Sequence, residues 1–366
     1  MTDLHRTYDG HADTWYPVWA GDGNCYSPFM DGLGADGNWE TRKNAYAKLG
    51  FAHISGDDPL NLTVKNTSII EETTEFQPGS NDNSNGRYAC TILPYKGVLY
   101  YGSSYRFIAG QHYLRPFAGF DISTDGGTSW TKRSGKLFPE AEYPDIKIGE
   151  PHFVDFAEEL KYSPDGKAYL VGFGASAELA ATRPKQTGTS QVPLENPDWN
   201  WGDCVYLLRV TPSAETINDA SKYEYYAGND TDGKPAWTRD FSKIKPVVTW
   251  ADNMGQVAVT YVPALRKYIM CVTDGRKYDG PFNTYFLESN KLTGPWRIVS
   301  YWGNFGKQAY FVHMPSKFLG ATVKGGSLTA WIVYSANFSS NNVDPPGSTY
   351  AMCVRQVSIK VTKNAK

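Results

Sequence analysis

The sequence predicts an all-β fold: a five-bladed β-propeller of four-stranded antiparallel blades, forming a single domain over residues 1–366. Three observations carry that reading. An apolar strand, a tight Gly-containing or polar turn and a strand bearing aromatics recur five times along the chain. A more polar pair of strands follows each of these hairpins. Helical periodicity is nearly absent, and "NWETRKNAYAKLG" is the one stretch that reads as a short helix.

The elements follow in order. "WYPVWAGDGNCYSPF" is the first hairpin, with "KLGFAHISGDDPLNLTV" outside it. "YACTILPYKGVLYYGSS" is the second, followed by "FAGFDISTDGGTSWTK". The third, "HFVDFAEELKYSPDGKAYLVGFGA", is followed by "DCVYLLRV" and "SKYEYYAG", and the fourth, "VAVTYVPALRKYIMCVT", by "TYFLESNKLTGPWRIVS". "AYFVHMPSKF" and "GGSLTAWIVYSANF" make the fifth, whose outer set holds only "YAMCVRQVSIKV". One N-terminal strand would complete that set and close the ring. Five units imply about 70 residues each, which calls for generous loops. Residues 72–86, 175–200 and 212–245 read as those loops. Six or seven blades follow instead if these segments hide strands.

"DISTDGGTSW", residues 121–130, has the Asp-box spacing of Ser123, Asp125, Gly127 and Trp130. The pattern is common in sialidases, but its chemistry is that of a turn. Asp125 can accept from the amides that follow it, Gly126 and Gly127 tolerate positive φ, and Trp130 packs beneath the loop.

Composition narrows the function classes. Lys and Arg number 36 against 38 Asp and Glu, so no basic surplus exists to hold a phosphate backbone, and no nucleic acid partner is expected. No apolar run reaches 18 residues, so no membrane span is expected, and "MTDLHRTYDG" lacks the apolar core of a signal peptide. The five scattered cysteines (25, 90, 204, 271 and 353) read as small core residues and slightly favour the cytoplasm. The sequons at Asn61, Asn66, Asn229 and Asn337 point the other way, and localisation stays open. With 25 Tyr, 17 Phe and 11 Trp, the chain is rich in rings that fill sheet interfaces and stack on sugars.

In a propeller the starts of the innermost strands converge at one mouth of the channel. Here they carry Asp13 and Trp15, Arg87 and Tyr88, Glu150 and His152, Asn253 and Gln256, and Gln308; Asp31 follows the first hairpin and also reaches that mouth. Glycoside hydrolysis needs one carboxylic acid to protonate the leaving oxygen and a second carboxylate to activate water or attack carbon. Asp13 and Glu150 are the candidates, with a carbohydrate as substrate. Trp15, Asp31, Arg87, Tyr88, His152, Asn253, Gln256 and Gln308 are the candidate substrate contacts. The alternative chemistry is β-elimination from a uronate-containing glycan, with Arg87, Tyr88, His112 and His152 neutralising the carboxylate and moving protons. A non-catalytic glycan-binding propeller is the third reading, against which the five unlike strand starts argue. No cofactor is required; scattered acids could hold Ca²⁺ in the channel.

With these residues in hand, the chain resembles the five-bladed propeller carbohydrate-active enzymes, the family 43-like glycoside hydrolases and the poorly characterised families related to them. "DTWYPVWAGDGNCYSPFMDG", "GEPHFVDF", "YSPDGKAYLVGFGA", "VTYVPALRKYIM" and "ESNKLTGPWRIVSYW" carry the likeness. It implies an Asp base from the first blade, a Glu acid from the third and a further Asp from the second. Asp13 and Glu150 match the first and third positions. The second inner strand starts with Arg87 rather than Asp, a departure that leaves room for the lyase chemistry.

Overall fold

The computed structural model describes residues 1–8, 11–30, 32, 42–43, 46–72, 87–105, 107–108, 111–112, 114, 116–131, 135–140, 145–182, 198–275, 281–305, 308–338, 343 and 345–362. It is a five-bladed β-propeller of antiparallel blades. Blade I runs outward from Val18–Trp19 through Cys25–Phe29 and Tyr46–Ser55 to Thr63–Glu72. Blade II holds Arg87–Tyr95, Val98–Tyr105 and Phe117–Ser123, and a single bridge from Ile122 to Thr131 marks its outer edge. Blade III starts with His152–Phe153, Ala168–Gly174 and Cys204–Val210. Its outer edge is the most elaborate, because Cys204–Val210 pairs with both Glu224–Asn229 and Pro246–Thr249, and Pro235–Thr238 extends the first of these. Blade IV is Gly255–Val262, Lys267–Asp274, Asn283–Ser289 and Arg297–Trp302.

Blade V holds Tyr310–His313, Ser327–Ser335 and Met352–Lys360. Its fourth strand comes from the other end of the chain: His5–Tyr8 lies antiparallel to Met352–Lys360, with His5 opposite Arg355 and Tyr8 opposite Met352. The ring therefore closes as the incomplete fifth repeat implied.

Each blade is covered on both faces by its neighbours. Its middle strands accordingly read as continuous apolar runs rather than alternating ones; Ala168–Gly174 is buried at every position. The core is a set of blade-to-blade seams, and the largest cluster joins blades II, III and IV. Local chemistry sets the hairpins. Between Tyr95 and Val98 the two-residue loop has Lys96 at φ 51° and Gly97 at φ 77°, the paired left-handed conformation whose twist matches the flanking strands.

Two expectations need correction. "NWETRKNAYAKLG" is not helical where the structure describes it: Arg42–Lys43 and the start of Tyr46–Ser55 are paired strands. Its helix formers lack an apolar stripe of helical period, and pairing of Arg42–Lys43 with Tyr46–Ala47 and of Lys48–Leu49 with Glu71–Glu72 overrides local propensity. The supposed loops also contain structure. Ala177–Thr182 is a short helix, and residues 212–245 include Pro235–Thr238 and two 3₁₀ turns capped by the Asp219 and Asp240 carboxylates. Residues 73–86 lie outside the described set. All five cysteines are buried in the core. Among the described residues no helix is long and apolar enough to cross a membrane.

Candidate active site

Asp13 stands just before the innermost strand of blade I, pinned by reciprocal 2.9 Å backbone bonds with Met30. Both oxygens of its buried carboxylate accept hydrogen bonds. The Thr14 hydroxyl donates to Oδ1 at 2.8 Å, and the Tyr310 phenol of blade V donates to Oδ2 at 2.9 Å. Two backbone outliers flank this pair. Thr14 has φ 65° and Phe311 has φ 54°. Left-handed conformations of a β-branched and an aromatic residue each cost about 1–3 kcal/mol and are kept only where surrounding structure imposes them. For Phe311 that structure includes Gln256, whose Oε1 accepts the Phe311 amide at 3.1 Å.

Tyr16 links this corner to blade III. Its ring lies 4.1 Å from that of His152, with Phe311 and His313 edge-on at 5.5 and 5.6 Å. Asp13 is three residues before Tyr16 and Glu150 two before His152, so the ring contact joins the two acid-bearing segments of blades I and III. Glu150 and His152 are 1% and 2% exposed. The approach to Glu150 is fixed by another acid: Glu140 Oε2 accepts from the Lys147 and Ile148 amides, both at 2.9 Å. Just beyond it, the Phe153 amide donates to the Thr91 hydroxyl of blade II.

Other buried polar groups hold the ring together. Asp155 accepts from the Ala157 amide with Oδ1 and from the Ser316 amide of blade V with Oδ2, while its backbone exchanges bonds with Val259 and Tyr261 of blade IV. His313 Nε2 donates to the Pro17 carbonyl at 2.8 Å, which fixes the tautomer because that oxygen only accepts. Burial depresses the His313 pKa, opposed by the Asp155 charge. Among the described residues no group of three or more His, Cys, Asp or Glu side chains is arranged to hold a metal.

The remaining candidates are placed differently. Arg87 is buried, donating through Nε and Nη2 to the Ser103 hydroxyl and through Nη2 to Asp121 at 2.9 Å. Asp121 is fully buried, so Arg87 faces an internal counter-ion. Tyr88 lies in the apolar seam between blades I and II. Trp15 is in the core, stacked on Phe29 at 5.2 Å, its indole N–H donating to the Ala12 carbonyl. Asn253 is half-buried and bonded to the Ala251 carbonyl and the Tyr285 phenol. Gln256 and Gln308 are fully buried. Asp31 and the side chain of His112 lie outside the described residues.

Sequence reasoning missed Tyr310 and Asp121. Tyr310 had a signal: in "QAYFVH" it lies two residues after Gln308, the strand repeat that returns a side chain to the same face. Its ring sits among Trp199, Phe282 and Phe338, centroids 5.6, 6.3 and 5.5 Å away. Asp121 had none, since its partner is 34 residues away. The Asp-box is a turn. Ser123 Oγ donates to Asp125 Oδ1 and accepts the Gly127 amide, while Asp125 accepts the amide and hydroxyl of Ser129. Trp130 then packs edge-on against Phe51 of blade I and Tyr101 of blade II.

No protein-family model matches the chain, and no curated protein matches it. Solved structures do. A structure described as the β-xylosidase RS223 aligns with a TM-score of 0.53 and 12% identity, over 99% of this chain and 97% of that one. The chain shares its fold with a β-xylosidase. A family 43 enzyme from Xanthomonas citri complexed with xylose aligns at 0.49 with 11% identity, covering 97% and 90%. The family 43 β-xylosidase/α-arabinofuranosidase CoXyl43 from a compost metagenome aligns at 0.48 with 14% identity, covering 99% and 96%. The likeness read from the hairpin repeats therefore holds for the fold. A fold hosts many activities, so chemistry must be argued from the site.

Proposed function

We propose that the protein is a glycoside hydrolase in which Glu150 is the general acid and Asp13 the base or nucleophile. The observation that carries this reading is the contrast between the surroundings of two buried carboxyl groups, on the segments that lead into the inner strands of blades I and III. Asp13 accepts hydrogen bonds at both oxygens, which favours the ionised form that a base or nucleophile needs. Glu150 is withdrawn from water, which favours the protonated form that an acid needs. As the glycosidic bond breaks, Glu150 gives its proton to the leaving oxygen. Asp13 either takes a proton from the water attacking the anomeric carbon or attacks that carbon itself. Tyr16, three residues after Asp13, packs on His152, two residues after Glu150. The shared fold makes β-xylosides the first substrates to try. Elimination is less well supported, because Arg87 already faces Asp121 and Ser103.

The test is an incubation series with xylo-oligosaccharides, other neutral glycans and uronate polymers, read by new reducing ends and by ultraviolet absorbance of unsaturated products. Reducing ends without absorbance are expected, and Glu150→Gln and Asp13→Asn should each remove about 10²–10⁴-fold of the rate while leaving the fold intact. Full activity in Glu150→Gln refutes the assignment of the acid. Both signals together point to the lyase.

A further inference from the structure

The hydrogen bond from Tyr310 to Asp13 links the last blade to the first across 297 residues of sequence. The phenol is fully buried, and Trp199, Phe282, Phe311 and Phe338 surround its ring and restrict its motion. The residue after each partner, Thr14 and Phe311, has a left-handed backbone that its side chain disfavours. Gln256, fully buried on blade IV, accepts the amide of one of them. Backbone strain of this kind persists where a geometry is over-determined, and here it lies on both sides of a single side-chain contact.

We propose that Tyr310 is a positioning residue for Asp13, a proposal resting on the hydrolase reading above. Its phenol orients the carboxylate by holding Oδ2, leaving Oδ1 with Thr14, and it favours the ionised form. Gln256 supports the arrangement by holding the Phe311 amide, and with it the turn of chain that carries Tyr310. Titratable groups on the surrounding elements are Tyr310 itself, His11 and Tyr16 on the Asp13 segment, Glu150 and His152 across the Tyr16 ring, and His313 farther along the Tyr310 strand. Arg87 and Asp121 neutralise each other in blade II. Met30, the backbone partner of Asp13, carries no charge. Tyr310 is the group among these bonded to the Asp13 carboxylate by a phenol, so altering that phenol should act first on Asp13.

The experiment uses the full chain with para-nitrophenyl β-xyloside, or the panel glycoside that the wild type turns over fastest. Tyr310→Phe keeps the ring and removes the donor. It should lower kcat about tenfold with KM within about twofold, and raise the acid limb of the kcat/KM profile by about one pH unit, the worth of one hydrogen bond. Incorporating 3-fluorotyrosine at position 310 keeps the shape and strengthens the donor, and should move the acid limb the other way. A structural role alone would not produce opposite shifts. If Tyr310→Phe and the fluorinated protein both retain the wild-type acid limb and kcat, the proposal is overturned and the hydrolase reading stands. If Tyr310→Phe fails to fold, the fluorinated protein alone decides by the same limb. A wild type inactive on every glycoside overturns the hydrolase reading and this proposal with it.

Discussion

Replacing Arg87 with Met separates two roles that its position allows. The guanidinium donates to Ser103 Oγ at 3.0 and 2.7 Å and to Asp121 at 2.9 Å, and the paired side chains are 6% and 0% exposed. Met restores most of the volume but removes the cation, leaving the Asp121 carboxylate buried without it. Breaking a buried pair from one side costs about 3–5 kcal/mol. Asp121→Asn should cost a comparable amount, because the Arg87 charge then lacks its carboxylate. The double variant should recover about 0.5–3 kcal/mol of the summed loss, since both charges leave together. Denaturant unfolding of the four proteins gives these values through their midpoints and slopes. Uronate polymers incubated in parallel test the rival role. A variant Arg87→Met with wild-type stability and additive behaviour would refute the clamp. Loss of unsaturated product in that same variant would make Arg87 a substrate contact.

Three further outcomes are expected. Asp125→Ala should destabilise the protein at neutral pH without altering glycosidase activity. Ser129 holds the Asp125 pKa down at about 2 from the ordinary 3.8, so the contribution is present above 3.8 and lost as pH falls through 2. Unfolding midpoints of the variant and the wild type should converge at that acidity; a gap that persists there contradicts the turn assignment. His313→Gln should flatten the stability profile below pH 6.5. Burial lowers the folded pKa, so the unfolded chain binds the extra proton first and the wild type loses stability as pH falls through 6.5; equal slopes in thermal unfolding would refute this. Deleting residues 1–8 should expose the edge of Met352–Arg355 and promote association, seen by light scattering, because an uncovered strand edge is a template for pairing. A monomeric truncation with an unchanged melting temperature would mean that the closing strand is dispensable.

The blades were legible because each hairpin is a local event. Lys96-Gly97 and Gly126-Gly127 announce their turns in adjacent residues, and the burial of both blade faces makes the middle strands continuous apolar runs. Ring closure was legible for a different reason: the fifth repeat lacked one strand, and the chain had one strand unassigned at its start. Elements set by partners rather than by local sequence were harder to read. Arg42–Lys43 and Tyr46–Ser55 carry helix-forming residues but are strands because they pair: Arg42–Lys43 with Tyr46–Ala47, and the rest of Tyr46–Ser55 with Cys25–Phe29 and Thr63–Glu72. The additions to blade III, Pro235–Thr238 and Pro246–Thr249, were hidden because each is four residues long and starts with a proline, too short for a strand repeat to show.

The same distinction explains the site. Chain position is what nominates Asp13, Glu150 and His152 as candidates, because a propeller delivers its inner-strand starts to one mouth. It could not show what each residue faces. Trp15 has the same strand address as Asp13 yet turns into the core against Phe29, and Arg87 turns to Asp121 in its own blade. Tyr310 belongs to the blade that closes the ring on blade I, so its contact with Asp13 exists only once the ring is shut. It follows that the closing strand and the candidate base are coupled. Loosening the seam between blades V and I should reach Asp13 through Tyr310 before it reaches Glu150, which is anchored through Glu140 and Thr91 by the seam between blades II and III.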